Sequence, residues 1–144
     1  MTLPESVLRR YGRRPPNEDG VPGRRPQAPA PEESDLPSSD RRWVSAALRQ
    51  AATSQHEFQQ VGAVVVRGGR LLGAASNHNR YGHCAEVRAL GRVGDPAGAT
   101  VYVARLSRRL SRPCGRCWRY LRAFGVRDAV YASQDGSWIR ERVT

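Results

Sequence analysis

Lysine is absent from this 144-residue chain: all 24 basic residues are arginine. Aromatic residues make up only 7% of it and methionine occurs once. No apolar run approaches the roughly 20 residues that a membrane-spanning helix needs, which excludes that class of membrane protein. The first 14 residues hold no apolar core of a secretory signal, so a cytoplasmic location is expected. Cysteine is scarce too, and three is an odd number, which argues against a disulfide framework. The length is that of one domain.

What is present is unevenly placed. Eight of the ten prolines lie at or before Pro37. Such a stretch cannot sustain a helix or a central strand, and it has little to bury against the entropy of ordering. Residues 1–38 are therefore expected to be a disordered Pro/Arg-rich tail, and residues 39–144 the folded domain. The charge divides differently. Residues 43–144 carry 16 Arg against 6 acids, a net of +10, whereas residues 1–42 carry 8 Arg against 7 acids. A basic folded unit suggests anionic partners such as nucleotides or nucleic acid. Complete exclusion of lysine is also the mark of a GC-rich coding sequence. The charge alone leaves a functional and a merely biased surface both open.

The patterning predicts α-β-β-α-β-α-β-β. Ser38, Ser39 and Asp40 are N-cap types, and Trp43, Val44, Ala47, Leu48 and Ala51 follow at helical spacing, giving a helix over 40–53. Val61–Val66 is a continuous β-branched run, the pattern of a buried strand. Arg67-Gly68-Gly69-Arg70 turns it back into Leu71–Ala75. A short helix over Cys84–Leu90 comes next, then a strand over Thr100–Ala104. Pro113 is placed to open a helix that Gly125 stops. Asp128–Ala132 and Trp138–Arg140 are the last strands. Gln134–Gly136 is too short for a crossover, so these two must be antiparallel. The fold class is α/β: a three-layer α-β-α sandwich around a five-stranded mixed sheet.

All three cysteines fall in two short motifs, Cys84-Ala85-Glu86 and Pro113-Cys114-Gly115-Arg116-Cys117. Both open a helix after a strand and loop, so their side chains can converge at one end of the sheet. A Cys-x-x-Cys pair presents two sulfurs about one turn apart, and Cys84 supplies a third. Three protein ligands leave one tetrahedral position open, as in catalytic zinc sites. Glu86 would sit beside that position without binding the metal, placed to take a proton from water and hand it on. Three thiolates make the ion a weak Lewis acid. The two helix N-termini, with Arg88 or Arg116, would offset that charge.

Here the sequence resembles the zinc-dependent cytidine/deoxycytidylate deaminase superfamily, whose signature is His/Cys-x-Glu followed by Pro-Cys-x-x-Cys. The match is His83-Cys84-Ala85-Glu86 and Pro113–Cys117, with 27 residues between Glu86 and Cys114. It covers about residues 40–144, and the element order agrees. The resemblance implies Zn²⁺ held by Cys84, Cys114 and Cys117, with Glu86 as proton shuttle. It implies that the Ala85 N–H contacts the base and that the Arg112 carbonyl meets the leaving amine. Asn77, or Asn79, would contact the sugar or base. Cysteine as first ligand and an antiparallel final pair are similar to the cytidine deaminase branch. Val87 stands where small cytidine deaminases usually have Arg, and Asn77-His78-Asn79 replaces their Asn-x-Glu-Asn pattern.

The expected activity is hydrolytic deamination of a cytosine-type base to a uracil-type base in a nucleoside or nucleotide, with release of ammonia. The expected assembly is a homodimer or homotetramer. Two alternatives stand beside it. One is a deaminase acting on cytosine in single-stranded DNA or RNA, with a toxin role as a variant; the arginines at 105, 108, 109 and 112 favour an anionic ligand. The other is a nonenzymatic zinc module binding nucleic acid, with His83 or His78 completing a structural site. His83 could also replace Cys84 as ligand. His56 reads as a surface residue, and Trp118 as either a base-stacking or a core residue.

Overall fold

The computed structural model describes residues 36–78, 84–107 and 110–144. Among them the elements are α1 (Ser38–Ala51), β1 (Val61–Arg67), β2 (Arg70–Ser76), α2 (Ala85–Leu90), β3 (Thr100–Arg105), α3 (Gly115–Ala123), β4 (Asp128–Ala132) and β5 (Trp138–Arg142). The strands form one sheet in the order β2-β1-β3-β4-β5. Only β3 and β4 run parallel; β2, β1 and β5 pair antiparallel to their neighbours.

Strand alternation sorts the sheet residues between two cores. Ala63, Val65, Val101, Val103, Ala129 and Tyr131 point to one face, where Ala85, Ala89 and Leu90 of α2 and Trp118 and Leu121 of α3 cover them. Val64, Val66, Tyr102, Ala104 and Val130 point to the other, under Trp43, Val44, Ala47 and Leu48 of α1. This is the expected three-layer sandwich. Two glycines let the layers close. A Cβ on Gly62 would lie 2.2 Å from the Ala47 carbonyl oxygen on α1, and one on Gly73 2.6 Å from Val93 beyond α2.

The hairpin is as the sequence suggests, with Gly68 (φ 60°) and Gly69 (φ 75°) both left-handed, as a two-residue turn of this kind requires. Helix ends differ in detail. Asp40 is not a cap: Pro37 precedes the first turn, and its carbonyl accepts the Asp40 and Arg41 N–H groups. Asp40 is instead buried, accepting hydrogen bonds from Tyr102 Oη of β3 and from Arg140 of β5. Helix α1 thus starts at Ser38, inside the stretch assigned to the tail. Pro113 lies one residue before the cap of α3, which is Cys114. Gly125 (φ 77°) does stop α3. The Val126 N–H reaches back to Leu121 O and the Gly125 N–H to Arg122 O, a Schellman closure that also buries Val126 on Leu121.

The parallel pair opens past Tyr102–Val130, where the ladder ends. Ser111 fills the gap. Its hydroxyl donates to Val103 O and accepts from the Ala132 N–H, both at 2.8 Å, and its own N–H donates to Ala132 O. The segment entering α3 is thereby clamped at the carboxyl ends of β3 and β4. In an open α/β sheet that is where a ligand crevice forms.

Candidate active site

Cys84 is the residue before the first turn of α2, and Cys114 holds the same position on α3. Cys117 lies one turn on, fully buried. Their three Sγ atoms all lie within 4.8 Å of one another. A tetrahedral zinc with Zn–S of about 2.3 Å sets its sulfurs about 3.8 Å apart, so the spacing fits. The chemistry of the donor set fits as well. The Cys117 thiol is pushed well above its ordinary range, first by hydrogen bonding to Cys84, then by burial and by the charge of Glu86. The buried Cys117 sulfur, crowded by Cys84 and beside a carboxylate, resists deprotonation until a divalent cation is placed against it. The Arg88 Nε, one turn along α2 from Cys84, is buried with no hydrogen-bond partner among the described residues. Arg116 is exposed.

Glu86 is 5% exposed. Burial pushes its carboxyl up to about 7, against the pull of its backbone N–H, and the neighbouring Cys84 adds to the rise. A carboxyl with that value exchanges a proton readily at neutral pH. Glu86, the three cysteines and buried Ala85 line one cavity of about 210 Å³. Val61, Asn77, Arg105, Leu110, Ser111 and Arg112 line it too.

The substrate-contact candidates are placed as follows. Asn77 is buried, and its side chain is largely engaged. Oδ1 accepts from Ser54 Oγ (2.6 Å) and the Val61 N–H (3.0 Å), while Nδ2 donates to Gln59 O (2.7 Å). It closes the cavity wall and faces the cavity at once. The Arg112 guanidinium donates to both carboxylate oxygens of Glu141, at 3.1 and 3.2 Å, and stacks over Trp118. Trp118 is core on its other side. Asn79, His83, Arg108 and Arg109 lie outside the described residues.

His56 and Gln59 also line the cavity, which the sequence did not suggest. The His56 Nδ1 accepts from the backbone N–H groups of Phe58 and Gln59, each at 3.0 Å. The signal was available only as a polar residue just ahead of a buried strand.

Fold and site together define a zinc hydrolase built on an α/β sandwich, with a carboxylate beside an all-cysteine metal cradle. The chain belongs to the cytidine and deoxycytidylate deaminase zinc-binding region family, whose profile matches residues 37–133. Among solved structures, the dCMP deaminase of cyanophage S-TIM5 is similar, with a TM-score of 0.60 and 20% identity over 70% of this chain and 88% of that one. The cytidine deaminase of Burkholderia pseudomallei also gives 0.60, with 22% identity over 71% and 91%. RibD of Acinetobacter baumannii gives 0.55 with 27% identity, covering 67% of this chain but 28% of that larger one. No curated protein matches the chain. No helix among the described residues is long and apolar enough to cross a membrane.

Proposed function

We propose that the protein deaminates a cytosine-type base in a nucleoside or nucleotide by hydrolysis, releasing ammonia. The carrying observation is the convergence of Cys84, Cys114 and Cys117 within 4.8 Å, in the same cavity as buried Glu86. Cys84, Cys114 and Cys117 would hold the zinc. Bound there, zinc supplies the Lewis acidity that makes water a nucleophile near neutral pH.

This chain's residues do the rest. The Glu86 carboxylate takes a proton from the attacking water and gives it to the ring nitrogen next to the reacting carbon. A second transfer through Glu86 protonates the departing amino group. One carbon–oxygen bond forms, one carbon–nitrogen bond breaks, and ammonia leaves. The Ala85 N–H, in the first turn of α2, has no acceptor within its helix and can hold an oxygen of the base. The Arg112 carbonyl accepts from the amino group, and Asn77 contacts the sugar or base edge. Burial of Ala85 and Cys117 keeps bulk water from the floor.

The test is ammonia release from cytidine, deoxycytidine, deoxycytidylate, adenosine, guanine and single-stranded DNA and RNA oligonucleotides, with Glu86→Ala as the blank. Turnover of a monomeric cytosine compound by the wild type alone supports the reading. Turnover of oligonucleotides alone moves the function to nucleic-acid editing. No turnover by zinc-loaded protein removes this reading in favour of a specialised small-molecule substrate or of the nonenzymatic zinc module.

A further inference from the structure

The three cysteines of the cradle are not equivalent. Cys114 is exposed, Cys84 half-buried and Cys117 fully buried. Cys114 caps α3 and Cys117 lies in its first turn. That is the arrangement of a reactive Cys-x-x-Cys pair: an outer sulfur that small solutes can reach, and an inner one behind it to complete a disulfide. The approach to the outer sulfur is open at Gly115, where an added Cβ would meet nothing within 4 Å. The sulfurs lie within 4.8 Å of one another, so rotation of two side chains can bring a pair to the about 2 Å of a disulfide bond. Trp118 and Leu121 fix α3 in the core, and Ser111 clamps the segment before it. Both sulfurs therefore ride on one fixed frame. Among the described residues the cradle offers sulfur alone, so a single two-electron oxidation can withdraw two of its three ligands.

We propose that Cys114 and Cys117 are an oxidative modification site that switches the metal centre off: a peroxide closes them into a disulfide, and zinc is released. As metal ligands both sulfurs are thiolates, the nucleophilic form. The Cys114 sulfur attacks one oxygen of the peroxide. The oxygen–oxygen bond breaks, hydroxide leaves, and Cys114 carries a sulfenic acid. The Cys117 sulfur attacks the Cys114 sulfur, the disulfide bond forms, and a second hydroxide leaves. Each sulfur has given up one electron, and the peroxide has taken both. Cys84 then remains as the last cysteine ligand, too few to hold the ion. A dithiol reductant reverses the step, returning both thiols and leaving as its own disulfide. The inference rests on the zinc-cradle part of the reading above and on nothing about the base that is deaminated.

The test adds hydrogen peroxide in small molar excess to the zinc-loaded full chain. It reads released zinc with a colorimetric chelator, free thiols by titration, and linked peptides by mass spectrometry. Zinc should leave one-for-one with the disulfide, and free thiols should fall from three to one. Trypsin cuts after Arg80, Arg88, Arg109, Arg116 and Arg119, so each cysteine falls in its own peptide and the linkage is read directly. The link should join the Cys114 peptide to the Cys117 peptide. Dithiothreitol followed by zinc should restore one ion per chain. Zinc retained with three free thiols, a link through Cys84, or sulfinic acid at Cys114 with Cys117 unlinked would each overturn the proposal. So would zinc release that dithiothreitol and added zinc do not reverse. The two readings fail separately. A chain that binds no zinc before peroxide is added sinks the cradle, and the switch with it. Zinc bound but untouched by peroxide sinks the switch alone. Reversible zinc release by a chain that yields no ammonia sinks the deaminase reading and leaves the switch standing.

Discussion

Glu86 is a buried carboxyl among sulfurs, and in the proposed reaction its burial serves proton transfer rather than packing. Replacing it with glutamine keeps the shape and removes the proton. Glu86→Gln should lower ammonia release by at least about 10²-fold, in the range attributed to a positioned acid or base. Bound zinc should stay at one ion per chain by metal analysis. Loss of zinc together with activity would instead make Glu86 a ligand. Cys117→Ser is expected to do what Glu86→Gln does not. It leaves a buried hydroxyl at the position of the deepest sulfur, and zinc retained at full occupancy after gel filtration would contradict the three-cysteine cradle. Both motifs were legible in the sequence because spacing within a helix turn is a local property. His56 was not, because its place in the cavity lining, with its ring held by the Phe58 and Gln59 N–H groups, appears only once the distant lining residues are brought beside it.

At the scale of elements, α1 docks on the sheet through close approach and through polar contact. Gly62→Ala places a methyl against backbone atoms of α1, with 2.2 Å to Ala47 O and 2.3 Å to Ala51 N, neither of which can yield without moving the helix. It should cost about 3 kcal/mol or prevent folding, by chemical denaturation. Gly68→Ala meets nothing within 4 Å and strains only the turn, so about 1 kcal/mol is expected. Equal losses at the two sites would show that α1 does not sit on β1 as closely as described. The polar contact is Tyr102 to Asp40, with Arg140 donating to Asp40 (2.8 Å) and Asp128 (3.0 Å). Burial, and then Asp40, push the Tyr102 hydroxyl up to about 12. An unfolded tyrosine ionises near pH 10, so the folded state holds a proton there that the unfolded state has lost. Its contribution is complete below about pH 10 and is lost as pH rises from 10 to 12, by about 2 kcal/mol. Tyr102→Phe should flatten that part of the stability profile. An identical slope in the variant would place the pH dependence elsewhere.

Across the whole molecule, the metal cradle joins the starts of two helices from different parts of the chain. Zinc would tie α2 to α3 and both to the open end of β3 and β4. Removing it with a chelator should lower the melting temperature by about 5 °C or more, and adding zinc back should restore it. A melting temperature indifferent to metal content would mean that the sulfurs are preorganised by the fold alone. Element order, the hairpin, the antiparallel final pair and the cysteine–glutamate motifs were all determined by the sequence itself. Each rests on neighbours within a few residues: side-chain period, turn length, helix-turn spacing. The tertiary structure alone decided that Asp40 is a buried acceptor for Tyr102 and Arg140 rather than a helix cap. It also decided that Ser111 clamps the parting strands, that Glu141 occupies Arg112, and that Arg105 lines the cavity. These depend on partners up to 100 residues apart, and no local pattern encodes which distant group a side chain will meet once the layers close.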